Sequence, residues 1–334
     1  MATTIETLAT LCALAMTLPA QDSRPATQPV TLGEGAHRYT WVAGWGQLPA
    51  GMQYGNTHGG IVVTKKGEVL VNTDTKNAIL VFTTGGKFVR AFGEEFAGGL
   101  HGMCLVEEQG EEFLYLAHTG RHCAAKCTLA GKVLWTLGPP QAAGIYKNDN
   151  EYLPTAVAVA PNGDLFVADG YGKSWVHQFD KERKYLRSIG GPGTEPGKFK
   201  TPHGLWIDTR GSEPELLVAD RENHRLQRFD LQGQHKGVID GMFRRPCGAH
   251  QSGELLAVAD LAGRVTLLGK DNQLVAQLGD QPDPKLRAQN GVPREKWKDG
   301  EFLSPHGLRF DAEGNLYVMD WNSLGRVNKL TPVR

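Results

Sequence analysis

From Tyr39 onward the apolar residues fall in short runs separated by glycine-containing turns. Within the runs, apolar positions such as Leu165 and Val167, or Leu216 and Val218, alternate along β-prone stretches. Asn162-Gly163 and Glu313-Gly314 sit between such runs as tight-turn pairs, glycine accepting positive φ. Helical periodicity is nearly absent. The pattern allows one helix, in the long insert 283–299, where Pro293 interrupts it.

The runs repeat as a group. PTAVAVAPNGDLFVADGYGKSWVHQFD, PHGLWIDTRGSEPELLVADRENHRLQRFD, PCGAHQSGELLAVADLAGRVTLLG and PHGLRFDAEGNLYVMDWNSLGRVNKL share one order of strand, turn and strand. Two looser copies begin THGGIVV and LHGMCLV. Six units spaced by roughly 43 to 59 residues match the period of four-stranded propeller blades. Complete units end in a fourth run such as GKFVRAFG or GKVLWTLG. The sixth lacks it, and an orphan fourth-strand pattern, HRYTWVAGWG, stands at 37–46. The predicted fold is therefore an all-β, six-bladed β-propeller. Residues 39–43 supply the missing strand of the last blade and remove an exposed sheet edge.

The first strand of a blade lines the axis and the second returns beside it, so first-strand starts and second-strand ends share one rim. The starts carry His58, His101, Thr155, His203, Cys247 and His306; the ends and following turns carry Asp74, His118, Tyr171, Arg221, Ala262 and Trp321. His101, His203 and His306 belong to alternate blades, so their imidazoles should converge on the axis with near three-fold symmetry, the ligand set of an open divalent-metal site. His58 is a candidate fourth nitrogen and Cys247 a candidate soft ligand. An all-imidazole set suits zinc, iron or copper without choosing between them. Cys123 and Cys127 are four residues apart on one expected strand, about 13 Å at the usual rise, too far for a disulfide. With His122 they form a weaker metal candidate.

Composition narrows the function. Lys plus Arg and Asp plus Glu are each 36, so the formal net charge is zero and a basic nucleic-acid surface is not expected. Five cysteines in 334 residues do not make a disulfide scaffold. No apolar run is long enough to span a membrane. LATLCALAMTLPA at 8–20 has the length of a signal-peptide core but lacks a basic flank, so 1–20 is read as a cleavable export signal and the protein as periplasmic or secreted. Residues 21–37 are expected to be a flexible lead-in, and 38–334 a single propeller acting as a monomer.

The blades resemble NHL repeats. PTAVAV, FVADGYGKS, KTPHGL, LVADRENHRLQRF, SPHGL and LYVMD are similar to the catalytic core of the peptidyl-α-hydroxyglycine α-amidating lyases, most closely over 154–230. The resemblance implies zinc on His101, His203 and His306, with Tyr171 of the DGY motif as the base acting on a substrate hydroxyl. It implies Arg221 of ADREN beside that tyrosine, and a substrate that is a small molecule or a peptide C-terminus ending in α-hydroxyglycine, split to an amide and glyoxylate. The chain departs from the family in three places. The arginine expected at the end of the first blade's second strand is replaced by Asn72-Thr73-Asp74. The aspartate that helps hold a structural calcium is Gly307, which disfavours calcium here. His58 stands where the family has a small residue. The expectation is an amidating-lyase-type metalloenzyme with a changed substrate. The alternatives are a metal-dependent hydrolase or oxygenase on the same scaffold, and a non-catalytic NHL propeller that binds a peptide, glycan or protein.

Overall fold

The computed structural model describes residues 29–334; the export-signal reading falls on residues outside these. Six antiparallel sheets stand around one axis. Five are four-stranded and consecutive in sequence, beginning at Thr57, Leu100, Ala156, Pro202 and Pro246. The sixth is composite. Pro305–Phe310, Leu316–Asp320 and Arg326–Pro332 are completed by Tyr39–Val42, which pairs antiparallel with the last of them. The ring therefore closes as the orphan strand pattern predicts.

Closure is also a packing event. Tyr39 and Trp41 are buried in the apolar layer between blades five and six with Leu267, Leu278, Phe310 and Leu330. The Trp41 ring lies 5.1 Å from Phe302. Similar apolar layers fill the other gaps between blades, because each strand alternates its side chains between two neighbouring sheets.

Two expectations change. The segment read as a flexible lead-in ends in order: Thr31–Leu32 pairs with Tyr39–Val42 as a fifth strand, and Val30 accepts a hydrogen bond from the Trp41 amide. Its polar composition hid two apolar residues, Val30 and Leu32, which pack on the closing core. The insert at 283–299 holds no α-helix. It forms two single 3-10 turns, Pro284–Leu286 and Arg294–Lys296, the second starting directly after Pro293.

Four aspartates at second-strand ends set the loops that feed the rim. Asp169, Asp220, Asp260 and Asp320 are fully buried. Each accepts backbone N–H bonds from the segment just before its own blade's first strand, from Leu153, Lys200, Arg244 and Leu303 respectively. In blades four and six the other carboxylate oxygen pairs with Arg225 and Arg326, whereas in blade five Arg264 shares Asp260 Oδ2 with the Arg244 N–H. Burying a carboxylate is costly unless it is hydrogen-bonded or paired, so each Asp fixes its loop in one conformation. These residues build the rim and do not face the axis.

Candidate metal centre and its rim

The three histidines sit at β-bulges. Leu100 pairs with His118 and Gly102 with Ala117, leaving His101 as the extra residue; His203 and His306 are the extra residues at the same point of their blades. A bulge leaves one residue unpaired and re-aims its side chain, here toward the axis. The glycine after each histidine is required by the neighbouring blade: a Cβ on Gly102, Gly204 or Gly307 would run into the carbonyl of Thr155, Cys247 or Gly59. The PHG motif is thus a bulge followed by a close backbone crossing.

Ligand-capable atoms of His101, His203 and His306 lie within 4.8 Å of one another, all three residues buried. This is the one such grouping of His, Cys, Asp or Glu among the described residues. Nδ1 of His101 is 2.8 Å from the Thr155 carbonyl, and Nδ1 of His203 is 2.9 Å from that of Cys247. A carbonyl can only accept, so both nitrogens carry the proton and both Nε2 atoms present lone pairs to the axis. Burial, reinforced by neighbouring positive groups, pushes the imidazoles down in pKa, His101 to about 3 and His203 and His306 well below the usual range. Neutral imidazoles with Nδ1 anchored are the form that binds a metal, and the triad can hold one.

His306 differs. Its Nδ1 is buried without a hydrogen-bond partner among the described residues. The cause lies in blade one, where the bulge is longer: Thr57 pairs with Thr73 and Ile61 with Val71, leaving 58–60 opposite Asn72. The carbonyl crowding Gly307 belongs to Gly59, so Gly59, not His58, stands in the place of Thr155 and Cys247. His58 is displaced by one residue. Its ring lies 5.6 Å from that of His101 and 6.3 Å from that of His306, its Nε2 is 3.2 Å from Asn56 Nδ2, and it stands outside the triad. The extra residue in blade one was not visible from the motif spacing, because THGG offers two glycines for one register.

Tyr171 and Arg221 are brought to the triad. The Tyr171 hydroxyl is 3.2 Å from His101 Nε2 and 3.0 Å from His203 Nε2, and accepts a 3.2 Å hydrogen bond from Arg221 Nη1. The same guanidinium lies over the tyrosine ring at 5.4 Å. Burial pushes the phenol pKa up, and Arg221 opposes it. Arg221 also donates from Nε to Glu222, and Glu222 takes a 2.5 Å bond from Arg245. Arg245, which the sequence reading did not single out, is the second cation on this rim.

Two further residues were missed or misread. Asn72, where the family's arginine was expected, is fully buried. Its Nδ2 donates to the carbonyls of Leu100 and His101, and its Oδ1 accepts from Gly60 N–H, so it fixes the backbone that carries His101. Cys247 is buried at the blade-five position, and burial pushes its thiol up to about 12. Its carbonyl, not its sulfur, serves the triad. Cys104, Cys123 and Cys127 are free thiols, and His122, Cys123 and Cys127 do not form a metal-capable grouping.

No family model matches the chain. A probable peptidyl-alpha-hydroxyglycine alpha-amidating lyase of Caenorhabditis elegans is 26% identical over 238 residues, covering 67% of this chain and 63% of that protein. NHL repeat-containing protein 3 of Homo sapiens is 30% identical over 173 residues, 49% of each chain. The chain is a six-bladed propeller related to amidating lyases and NHL-repeat proteins. The matched region spans about half to two-thirds of these relatives' length. Among solved structures, a gluconolactonase from Xanthomonas campestris superposes with a TM-score of 0.59 at 13% identity, covering 92% of this chain and 99% of that one. A streptogramin B lyase gives 0.58 at 15% identity, covering 90% and 98%. These two likenesses speak for the propeller fold alone.

Proposed function

We propose that this propeller is a metal-dependent lyase of the amidating-lyase type, acting on a small polar substrate at the triad rim. The observation that carries the reading is the single cluster of three neutral imidazoles, one phenol oxygen within 3.2 Å of two of them, and a guanidinium on that same oxygen. A divalent ion held by His101, His203 and His306, zinc first and iron or copper otherwise, would supply Lewis acidity and positive charge at this point.

The donor set argues for such an ion. The Tyr171 hydroxyl has one proton and faces two imidazole lone pairs, so it can satisfy only one of them. A phenolate there would face two lone pairs with no proton between, an arrangement stable only with a cation at the triad. With that cation present, Arg221 and the ion together favour the ionised phenol, and Tyr171 can take the proton of a substrate hydroxyl. Arg221 and Arg245, joined through Glu222, would orient a substrate carboxylate on the same rim. Asn72 leaves the first blade without the arginine of the amidating lyases, which supports a substrate other than an α-hydroxyglycine peptide. The proposed site would act in the periplasm or outside the cell, in a monomer.

The test is metal content of the untagged protein, followed by turnover of an α-hydroxyglycine-terminated peptide and a panel of α-hydroxy acids and carbinolamides, read as glyoxylate or aldehyde release. Stoichiometric metal with turnover of any member supports the reading. Bound metal with no turnover in the panel favours a propeller that binds a peptide, glycan or protein.

A further inference from the structure

The axis does not end at the triad. Beneath it a channel of about 740 Å³ runs along the first strands to the opposite rim, where Gln109, Pro161, Lys181 and Thr209 line its mouth. That volume lies in the range of small-molecule sites. His101, His203 and His306 close its inner end, while Tyr171 and Arg221 are not part of its lining, so it opens away from them on the far side of the triad.

Three residues below each histidine, the same alternate blades contribute Cys104, Trp206 and Arg309 to the channel wall. At about 3.3 Å per residue this second layer stands roughly 10 Å below the first. Arg309 reaches across the axis, its guanidinium 5.4 Å from the Trp206 ring centre. It is half-buried and, among the described residues, makes no hydrogen bond and no ion pair; burial pushes its pKa down, and Cys104 and Glu112 oppose that without touching it. Glu112 itself is taken up by the Lys65 backbone N–H, and the other charged groups along the channel have partners: Glu107 with Lys65, Glu108 with Lys126, and Lys181 with Glu182. A partly desolvated guanidinium with no carboxylate in contact gains from a ligand anion. Around it Met103, Leu105, Val157, Leu205 and Leu308 supply apolar stretches of a wall that also carries polar groups.

We propose that this channel is a second ligand site, which takes a small organic carboxylate with an apolar body, the carboxylate on Arg309 and the body along the apolar wall. A carboxylate matches the forked guanidinium, and Trp206 offers a flat face beside it. The site is reached from the rim opposite Tyr171 and stands whether or not the triad catalyses a lyase reaction.

The test is calorimetric titration of the full-length protein with hexanoate, with hexanamide as the uncharged match. Saturable hexanoate binding is expected, and Arg309→Gln should weaken it by about 10- to 100-fold, the loss of one charge-assisted group. Lys66→Gln, an exposed cation outside both the channel and the triad rim, should leave it unchanged, which controls for a general loss of positive charge. The unmodified protein gives a second reading: Cys104 lines the same channel, so hexanoate, and not hexanamide, should slow its labelling by methyl methanethiosulfonate. Equal binding of acid and amide, equal binding by Arg309→Gln, loss of binding in Lys66→Gln, or unprotected Cys104 would each overturn the proposal. Chloride or phosphate protecting as well as hexanoate would reduce the site to a general anion site and overturn the apolar-body assignment.

Discussion

With the triad free of metal, lowering the pH should unfold this protein in a narrow acid window. Six imidazoles are buried: His101, His118, His177, His203, His250 and His306. Burial pushes His101 and His177 down to about 3 and His118 to about 4, and His203 and His250 and His306 well below the ordinary value. In the unfolded chain each would bind a proton below about pH 6.5. The folded state refuses those protons, so stability present above pH 6.5 is lost as pH falls toward 4. Asp169 and Asp320 act the other way. Burial raises them, so the folded state binds protons there that the unfolded chain binds only at lower pH. The imidazoles outnumber these carboxyls, so near pH 5 the unfolded chain binds several more protons than the folded one. At about 1.4 kcal/mol per proton per pH unit, several kcal/mol is lost per unit, comparable with the whole stability of a typical domain. Urea unfolding of EDTA-treated protein at half-unit steps from pH 7.5 to 4.5 measures this. Stability should be nearly flat above pH 7 and fall steeply below 6.5, and added zinc should move the fall to lower pH by binding only the folded state. A metal-free protein equally stable at pH 7 and pH 5 would refute the reasoning.

Three other outcomes are expected. His203→Ala should weaken metal binding by at least the roughly 10- to 100-fold seen when a ligand's supporting partner is lost, read by competition with a chromogenic chelator. Tyr171→Phe should keep metal content and lower turnover by about 10²- to 10⁴-fold, measured on whichever panel substrate the wild type consumes. Trp41→Ala should cost about 3–5 kcal/mol in urea unfolding, because it empties a buried position in the closing layer. The same truncation at Leu134, which is 43% exposed, should change stability by less than about 0.5 kcal/mol.

Much of this architecture was legible because repeats report register. The spacing of PHG-like motifs assigned His101, His203 and His306 to alternate blades, and six-fold closure then forced them together. The orphan strand pattern at 37–46 was equally direct, since five complete units and one short one leave a single place for it. The features that escaped depend on single-residue choices that no period records. THGG can be aligned with either glycine after the bulge, so only the crossing of Gly307 and Gly59 shows that His58 is displaced. Asn72 reads as a missing arginine until its amide is seen bridging Leu100 and His101. Arg245 and Arg309 carry no motif at all, and their importance lies in partners they have or lack.

The departures around His58 and His306 gather at the seam between blades six and one. There the bulge gains a residue, His306 Nδ1 goes unpartnered among the described residues, and a bare Gly59 lets the His306 backbone approach to where a Cβ would meet its carbonyl at 2.9 Å. Two anchored histidines and one unanchored one are not equivalent ligands. An Nδ1–H that donates to a carbonyl fixes the ring and raises the basicity of Nε2, and His306 lacks that support. The third arm of the triad is therefore the softest, and it faces the blade where the amidating-lyase arginine is absent. His101, Tyr171, His203 and Arg221 match the lyase-like motifs in blades two to four, and His306 does so in blade six. Blade one supplies what a different substrate would need: a half-buried imidazole, His58, beside the triad, and Asp74 near enough to pull its pKa up against burial. Were the substrate other than an α-hydroxyglycine peptide, this seam would hold the differing contacts, since His58 lies beside His101 and His306 while Tyr171 touches His101 and His203.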